Sequence, residues 1–213
     1  TLLGGQANDV IGGGDGGDYL SGDLGDDEVH GGLGDDTLMG GAGNDRLEGG
    51  FGADLLRGGD GDDRLATQGP EPTELHGDAG NDTLTPFGGG RDILHGGEGR
   101  DRFEFVSGTA PADGIEAEIR DWEAGDTLHF AAVGIFQAAI LPQSYSEFVA
   151  DSYAQALTIA NEHISAAGAT YVAAQVGSDV YVFADTGDPQ DGADIAIVLM
   201  GRTLADIDLS AFG

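Results

Sequence analysis

Asp9, Asp18, Asp27, Asp36, Asp45, Asp54 and Asp63 fall nine residues apart without a gap, and after a break the pattern resumes at Asp82, Asp92 and Asp101. Each sits in a glycine-rich stretch. Carboxylates spaced along turns that leave backbone carbonyls exposed make oxygen-ligand sites for a hard cation such as Ca²⁺, which takes six to eight oxygens. Acid–base or nucleophilic catalysis is not what this pattern suggests. The chain has no H-E-x-x-H, no G-x-S-x-G and no phosphate loop, and it is expected not to be an enzyme. With no Cys, disulfides, thiolate sites and cysteine nucleophiles are excluded.

The positioning elements repeat with the aspartates. Two residues after each of the first seven stands an aliphatic: Ile11, Leu20, Val29, Leu38, Leu47, Leu56 and Leu65. Two residues before stands Gly16, Gly25, Gly34, Gly43, Gly52 or Gly61, with Ala7 the exception. The unit reads G-G-x-G-x-D-x-U-x with U apolar, as in Gly40-Gly41-Ala42-Gly43-Asn44-Asp45-Arg46-Leu47-Glu48. Composition shifts near residue 104. Residues 1–104 hold 30 of the 40 Gly, and 23 acids against 6 Arg, a net of −17. Residues 105–213 hold the Trp and four of the five Tyr.

Ten near-complete copies in register resemble the repeat-in-toxin (RTX) calcium-binding repeats over residues 1–104. The resemblance implies a mainly β fold. Residues 1–104 would form a right-handed parallel β-roll of two short-strand sheets, 18 residues per turn, followed over 105–213 by an α+β capping domain. Each nonapeptide would be six residues of turn and three of strand, the middle strand residue pointing inward. One aliphatic per nine residues is too little apolar burial to offset the ordering of the backbone. Stacked carboxylates about 4.8 Å apart also repel one another. Folding and ion binding should therefore be coupled. The resemblance places each ion between a loop and the loop one turn on, with the motif Asp of both and loop carbonyls as ligands. Asp9, Asp27, Asp45, Asp63, Asp82 and Asp101 then form one column with five sites. Asp18, Asp36, Asp54, Thr73 and Asp92 form the other, with two intact pairs, so about seven Ca²⁺ are expected. Thr67 and Pro86 are single-residue insertions, and Gln68–Pro72 reads as a bulged turn without an ion. Arg91 and Arg100 put cations beside the last loops.

Thr1-Leu2-Leu3 fits the end of a preceding repeat with Leu2 inward, as expected of a fragment cut within an array. Residues 102–106 read as the last strand of the coil. Ile119–Phe130 reads as strand, Gly-Asp turn, strand, and resembles the segment that follows the last RTX repeat. Asp121 and Asp126 there are either ligands of a terminal ion or turn residues. A helix is expected from Tyr145 to Ala166, with a Ser144–Glu147 capping box and an apolar stripe of Tyr145, Phe148, Val149, Ala156, Leu157, Ala160 and Ile164. Ala169–Val176, Asp179–Ala184 and Ile195–Met200 read as antiparallel strands, and the acidic segment 185–192 as a solvated hairpin loop. The final Ala205–Gly213, acids followed by apolar residues, resembles the uncleaved signal of type I secretion substrates. His76 and His95 fall one turn apart on one side and could share a transition metal; solvated surface histidines are the alternative. His30 falls on the opposite sheet.

The whole chain carries a formal net charge of −31 with no Lys, which argues against nucleic acid and anionic membrane surfaces as partners. No apolar run is long enough to span a bilayer. With 39 % hydrophobic residues the acidity is not plain disorder. The resemblance implies a secreted, extracellular calcium-binding module, handled by a type I secretion apparatus. It would be unfolded at low cytosolic calcium and folded outside. Two wider settings stay open: the C-terminal part of a surface or adhesin-like protein with cell-surface or self-assembly partners, or the noncatalytic tail of a secreted metalloprotease, lipase or haemolysin.

Overall fold

A computed structural model describes residues 1–87, 90–106, 115–131, 145–167, 171–184 and 195–207. Its core is a two-sheet parallel solenoid. Strands alternate between the sheets as the chain winds. The larger sheet takes β1 (Leu2–Gly5), β3 (Tyr19–Leu24), β5 (Thr37–Ala42), β7 (Leu55–Asp60), β9 (Glu74–Ala79) and β11 (Asp92–Glu98). The smaller takes β2 (Val10–Asp15), β4 (Glu28–Leu33), β6 (Arg46–Phe51), β8 (Arg64–Gln68), β10 (Thr83–Thr85) and β12 (Arg102–Val106). Register follows the repeat: Leu38 pairs with Leu56 and Leu56 with Leu75, while Val29 pairs with Leu47 and Leu47 with Leu65. One turn is thus 18 residues. It becomes 19 where Thr67 or Pro86 is inserted, and the ladder between β6 and β8 shifts register after Glu48.

The inward aliphatics form one core. Leu20, Leu38, Leu56, Leu75 and Leu94 from one sheet face Val29, Leu47, Leu65, Leu84 and Phe103 from the other, all buried. Leu2 is in register with Leu20 but stays 44 % exposed at the open end of the stack. The tight turns depend on backbone approach that a side chain would block. Gly43 has φ +131° and its missing Cβ would run into the Gly25 carbonyl one turn away. Because Leu56 is sealed between Leu38 and Leu75, Leu56→Ala should cost about 2–5 kcal/mol. Val10→Ala, at a position 76 % exposed, should stay within about 0.5 kcal/mol. Denaturant unfolding of the calcium-loaded chain checks both.

The coil continues past residue 104. β13 (Ala117–Ile119) stacks in parallel on β11, and β14 (Thr127–Ala131) stacks in parallel on β12. The Ile119–Phe130 segment is therefore split between the two sheets. Leu128 and Ile119 extend the buried ladders, and Trp122 packs on Phe103 with ring centroids 6.1 Å apart. The sheet then runs on through β18 (Ile195–Leu199), β17 (Asp179–Ala184), β16 (Tyr171–Val176) and β15 (Tyr145–Ala150). β18 is parallel to β13, and β16–β18 are mutually antiparallel, as the sequence suggests. On β17 one face (Val180, Val182, Ala184) joins the solenoid core. The other presents Phe183 to the helix.

The helix is shorter than expected. Residues 145–150 form a strand, and α1 spans Tyr153–Ala167. β15 pairs with β16 in parallel, so a crossover must join them, and α1 is that crossover. The start signal lies at Ser152: its Oγ accepts from Gln155 N–H at 3.3 Å, while Gln155 Oε1 accepts from Asp151 N–H at 2.6 Å. Glu147 stands in the strand, ahead of the helix start at Tyr153, and Ser144 lies outside the described residues. Ala156, Ala160 and Ile164 are buried as predicted, with Leu157 partly so; Val149 is 73 % exposed. The 185–192 loop and residues 208–213 of the C-terminal segment lie outside the described residues. No described helix is long and apolar enough to cross a membrane.

Candidate metal centre

Each nonapeptide aspartate ends a glycine turn and opens a strand, so its side chain points back into the loop stack and not into the aliphatic core. Its two oxygens have different fates. Oδ1 accepts a hydrogen bond from the backbone N–H of the aspartate one turn earlier. Asp27 receives from Asp9 and Asp45 from Asp27, each at 2.7 Å; Asp63 from Asp45 at 2.7 Å; Asp82 from Asp63 at 2.8 Å; Asp101 from Asp82 at 3.0 Å. In the other column Asp36 receives from Asp18 at 2.7 Å and Asp54 from Asp36 at 2.9 Å. Oδ2 has no such partner. Among the described residues, Oδ2 of Asp27, Asp36, Asp45, Asp54, Asp63, Asp82 and Asp101 is buried without a hydrogen bond. A buried, unsatisfied carboxylate oxygen is costly, and a native structure needs a reason to keep seven of them.

The reason lies in what faces those oxygens. A Cβ built on Gly40 would collide with Asp45 Oδ2 and would lie 2.6 Å from the Gly58 carbonyl oxygen. The same triplet recurs at Gly22, Gly31, Gly58, Gly77 and their partners. Each glycine therefore keeps open a small space lined by an unpartnered carboxylate oxygen and a carbonyl from the next turn. Charged oxygen plus carbonyl is the donor chemistry of a calcium site. These residues fit the ion.

The orphan oxygens are five in the column that begins at Asp9 and two in the column that begins at Asp18. Asp9 and Asp18 themselves are only half-buried, in the first turn, and supply N–H donors to the next. The second column breaks where Thr73 replaces an aspartate. There Asp92 Oδ1 accepts from both Thr73 N–H and Thr73 Oγ1–H at 2.9 Å. Five residues before Thr73 and Asp92, where the cradle glycines of the other repeats stand, are Gln68 and Phe87.

Burial pushes these carboxyls up, offset in part by the hydrogen bond from the preceding turn and, at all but Asp92, reinforced by the neighbouring acids. Asp63 and Asp82 rise to about 7, Asp54 and Asp101 to about 6, and Asp36, Asp45 and Asp92 rise as well. The array therefore holds its charge poorly without a cation.

The two downstream aspartates serve the backbone. Asp126 Oδ1 accepts from Asp101 N–H at 3.0 Å and its Oδ2 from Glu123 N–H at 2.7 Å, so both oxygens are satisfied. Asp126 thus takes the next place in the first column, missed by a nine-residue count because it lies 25 residues after Asp101. Asp121 accepts from Gly96 and Gly97 N–H at 2.9 and 3.1 Å. Arg91 is turned away to an ion pair with Glu118. His76 and His95 stack face to face on the outside of the larger sheet. Burial holds the His95 imidazole below its usual range.

Residues 1–29, 30–65, 74–85 and 88–108 match the family of the RTX calcium-binding nonapeptide repeat, in four copies. No curated protein shows significant similarity to the chain. Among solved structures it is similar to the extracellular lipase LipA from Serratia marcescens at 20 % identity and a TM-score of 0.32, over 98 % of this chain and 38 % of the lipase. It is also similar to the AlgE6R3 subunit of the Azotobacter vinelandii mannuronan C5-epimerase at 24 % identity and a TM-score of 0.39, over 94 % of this chain and 80 % of that one. The chain thus spans little more than a third of the lipase's length.

Proposed function

We propose, for a chain whose repeats belong to the RTX calcium-binding nonapeptide family and are typical of secreted proteins, a calcium-gated folding module. It stays unfolded at the low calcium of the cytosol. It passes a type I secretion apparatus in that state and folds on binding about seven extracellular Ca²⁺ ions. The module binds rather than catalyses. It forms part of a secreted surface or adhesin-like protein, in which the calcium-hardened coil is a stiff element.

The observation that carries this reading is the set of seven buried Oδ2 atoms without a partner, each facing a glycine cradle. Asp27, Asp36, Asp45, Asp54, Asp63, Asp82 and Asp101 hold the ions with loop carbonyls, Asp9 and Asp18 close the first turn, and Asp92 contributes least because Thr73 stands in place of the aspartate one turn before it and Phe87 in place of its cradle glycine. Calcium supplies positive charge where these residues concentrate negative charge. Residues 117–131 and 195–199 carry both sheets, or one of them, beyond the repeats, and give arriving coils an edge on which to stack.

Asp45 sits between Asp27 and Asp63 and should belong to two sites. Counting bound Ca²⁺ by equilibrium dialysis, Asp45→Ala is expected to lose about two ions and to flatten the cooperativity of the rest. Glu162→Gln on α1 should change neither. An Asp45→Ala chain with an unchanged ion count would sink the assignment.

A further inference from the structure

The outer face of the larger sheet carries a cluster separate from the aspartate columns. Glu74 and His76, two residues apart on β9, project from one face. His95 on β11 is the direct partner of His76 in the ladder. The two imidazoles are parallel to within 1°, with centroids 4.6 Å apart. His76 Nε2 lies 2.7 Å from Glu74 Oε1. One ligand atom from each of Glu74, His76 and His95 falls within 4.8 Å of the other two, the one such group of three among the described residues. Asp121, clamped by Gly96 and Gly97 N–H, stands 3.7 Å from His95 Nδ1.

We propose that Glu74, His76 and His95 bind one transition-metal ion of the Zn²⁺ type, which ties β9 to β11 where the aspartate column is interrupted. Two imidazoles and a carboxylate suit Zn²⁺ and are poor ligands for calcium, which prefers oxygen. Bonds of about 2.0–2.1 Å in a tetrahedral site bring ligand atoms to roughly 3.3 Å from one another. The cluster therefore has to contract by side-chain rotation only, which outward-facing residues can do without moving the coil. Asp121 is placed to hold the other nitrogen of His95, as a carboxylate commonly does for a metal-bound histidine. The row continues with Arg57 on one side and Arg120 on the other, but these face carboxylates of their own: Arg57 lies 4.0 Å from Asp78 and Arg120 3.1 Å from Glu118.

The other histidine with two carboxylates does not make the same site. His30 lies 3.3 Å from Glu28 and 3.0 Å from Glu48, yet the Arg46 guanidinium binds both of those carboxylates and already supplies the cation. Position adds a second argument. β9 opens directly after Thr73, where the aspartate is missing and no orphan oxygen is left for calcium. A metal across His76 and His95 joins the same two turns from the outside.

The test uses the full chain saturated with calcium, so that the aspartate columns are filled, and titrates ZnCl₂ by calorimetry and thermal unfolding. One Zn²⁺ per chain is expected, undiminished by further calcium, with a rise in unfolding temperature. His76→Gln and His95→Gln should each weaken binding by more than about a hundred-fold and remove the rise. Asp121→Asn should weaken it about 10–100-fold. His30→Gln should leave it unchanged. Calcium-induced circular dichroism of each variant reports folding separately. In the unmutated chain, the ring-proton NMR signals of both His76 and His95 should move on adding zinc. Zinc binding retained in the His76→Gln/His95→Gln double variant, lost in His30→Gln, or displaced by calcium overturns the proposal. So do unmoved His76 and His95 signals.

Discussion

Stripped of metal at about pH 7.5, the chain is expected to lose most of the β signal of its coil, and to regain part of it when the pH is lowered to about 5. The argument is one of linkage. Asp63 and Asp82 titrate near 7 in the folded coil, and Asp54 and Asp101 near 6, against an ordinary value of 3.8. A carboxyl whose pKa is raised on folding binds its proton more tightly in the folded state. Its contribution is fully present below about 3.8 and is lost as pH rises through 6 to 7. The metal-free coil should therefore be favoured by acid, opposite to a protein held by salt-bridged carboxylates. Calcium removes most of this trend. The unfolded carboxylates are already ionised above about pH 5, as are those holding calcium. Only the metal-free coil gains from acid, so the calcium concentration at the folding midpoint should hold or rise, not fall, as pH goes from about 5 to 7.5. Circular dichroism on stripped protein, with and without added calcium, reads both slopes. A metal-free β signal that grows with pH would mean that burial and crowding of these carboxylates do not govern folding.

Gly40→Ala is expected to disable the coil nearly as thoroughly as losing its ion. The added methyl lands 2.6 Å from the Gly58 carbonyl and on top of Asp45 Oδ2. One contact is with backbone, which cannot rotate away, and the other is with a proposed ligand. Overpacking alone costs about 1–3 kcal/mol. The loss of the ion that Asp45 Oδ2 would hold adds to it, so the calcium midpoint should move up and the ion count down together. Gly12→Ala is the matched control, since a Cβ there meets nothing within 4 Å. If both substitutions behave alike, the glycine acts through chain flexibility and not through the cradle.

Much of this was readable in the chain because the causes are local. A nine-residue period carries the inward Leu, the turn glycines and the aspartate together, and a parallel stack repeats each contact at 18. The five-and-two division of the aspartate columns follows from Thr73 alone. The cradle glycine was less visible. Gly40 lies five residues before Asp45 and looks like any other turn glycine until the side chain is seen folding back onto it. Asp126 stood out as a ligand or turn residue, but its place in the first column was hidden because the last coil is longer than the others. Glu147 was misassigned because a serine three residues before it imitates a helix start, whereas the aromatic and branched residues around it pair with Tyr171–Val176.

The sequence by itself determined the repeat, the two columns and the kind of ion that suits them, since each of those depends on neighbours within one turn of chain. Tertiary structure alone decided that the coil extends through β13 and β14, that β18 joins β13 in parallel, and that residues 145–150 form an edge strand rather than the start of a helix. These pairings join segments with no shared period, chosen by which open sheet edge and which apolar face lie within reach. The same is true of the carboxylate oxygens: a sequence shows ten aspartates, but only the folded stack turns one oxygen of seven of them toward a glycine cradle while the backbone holds the other.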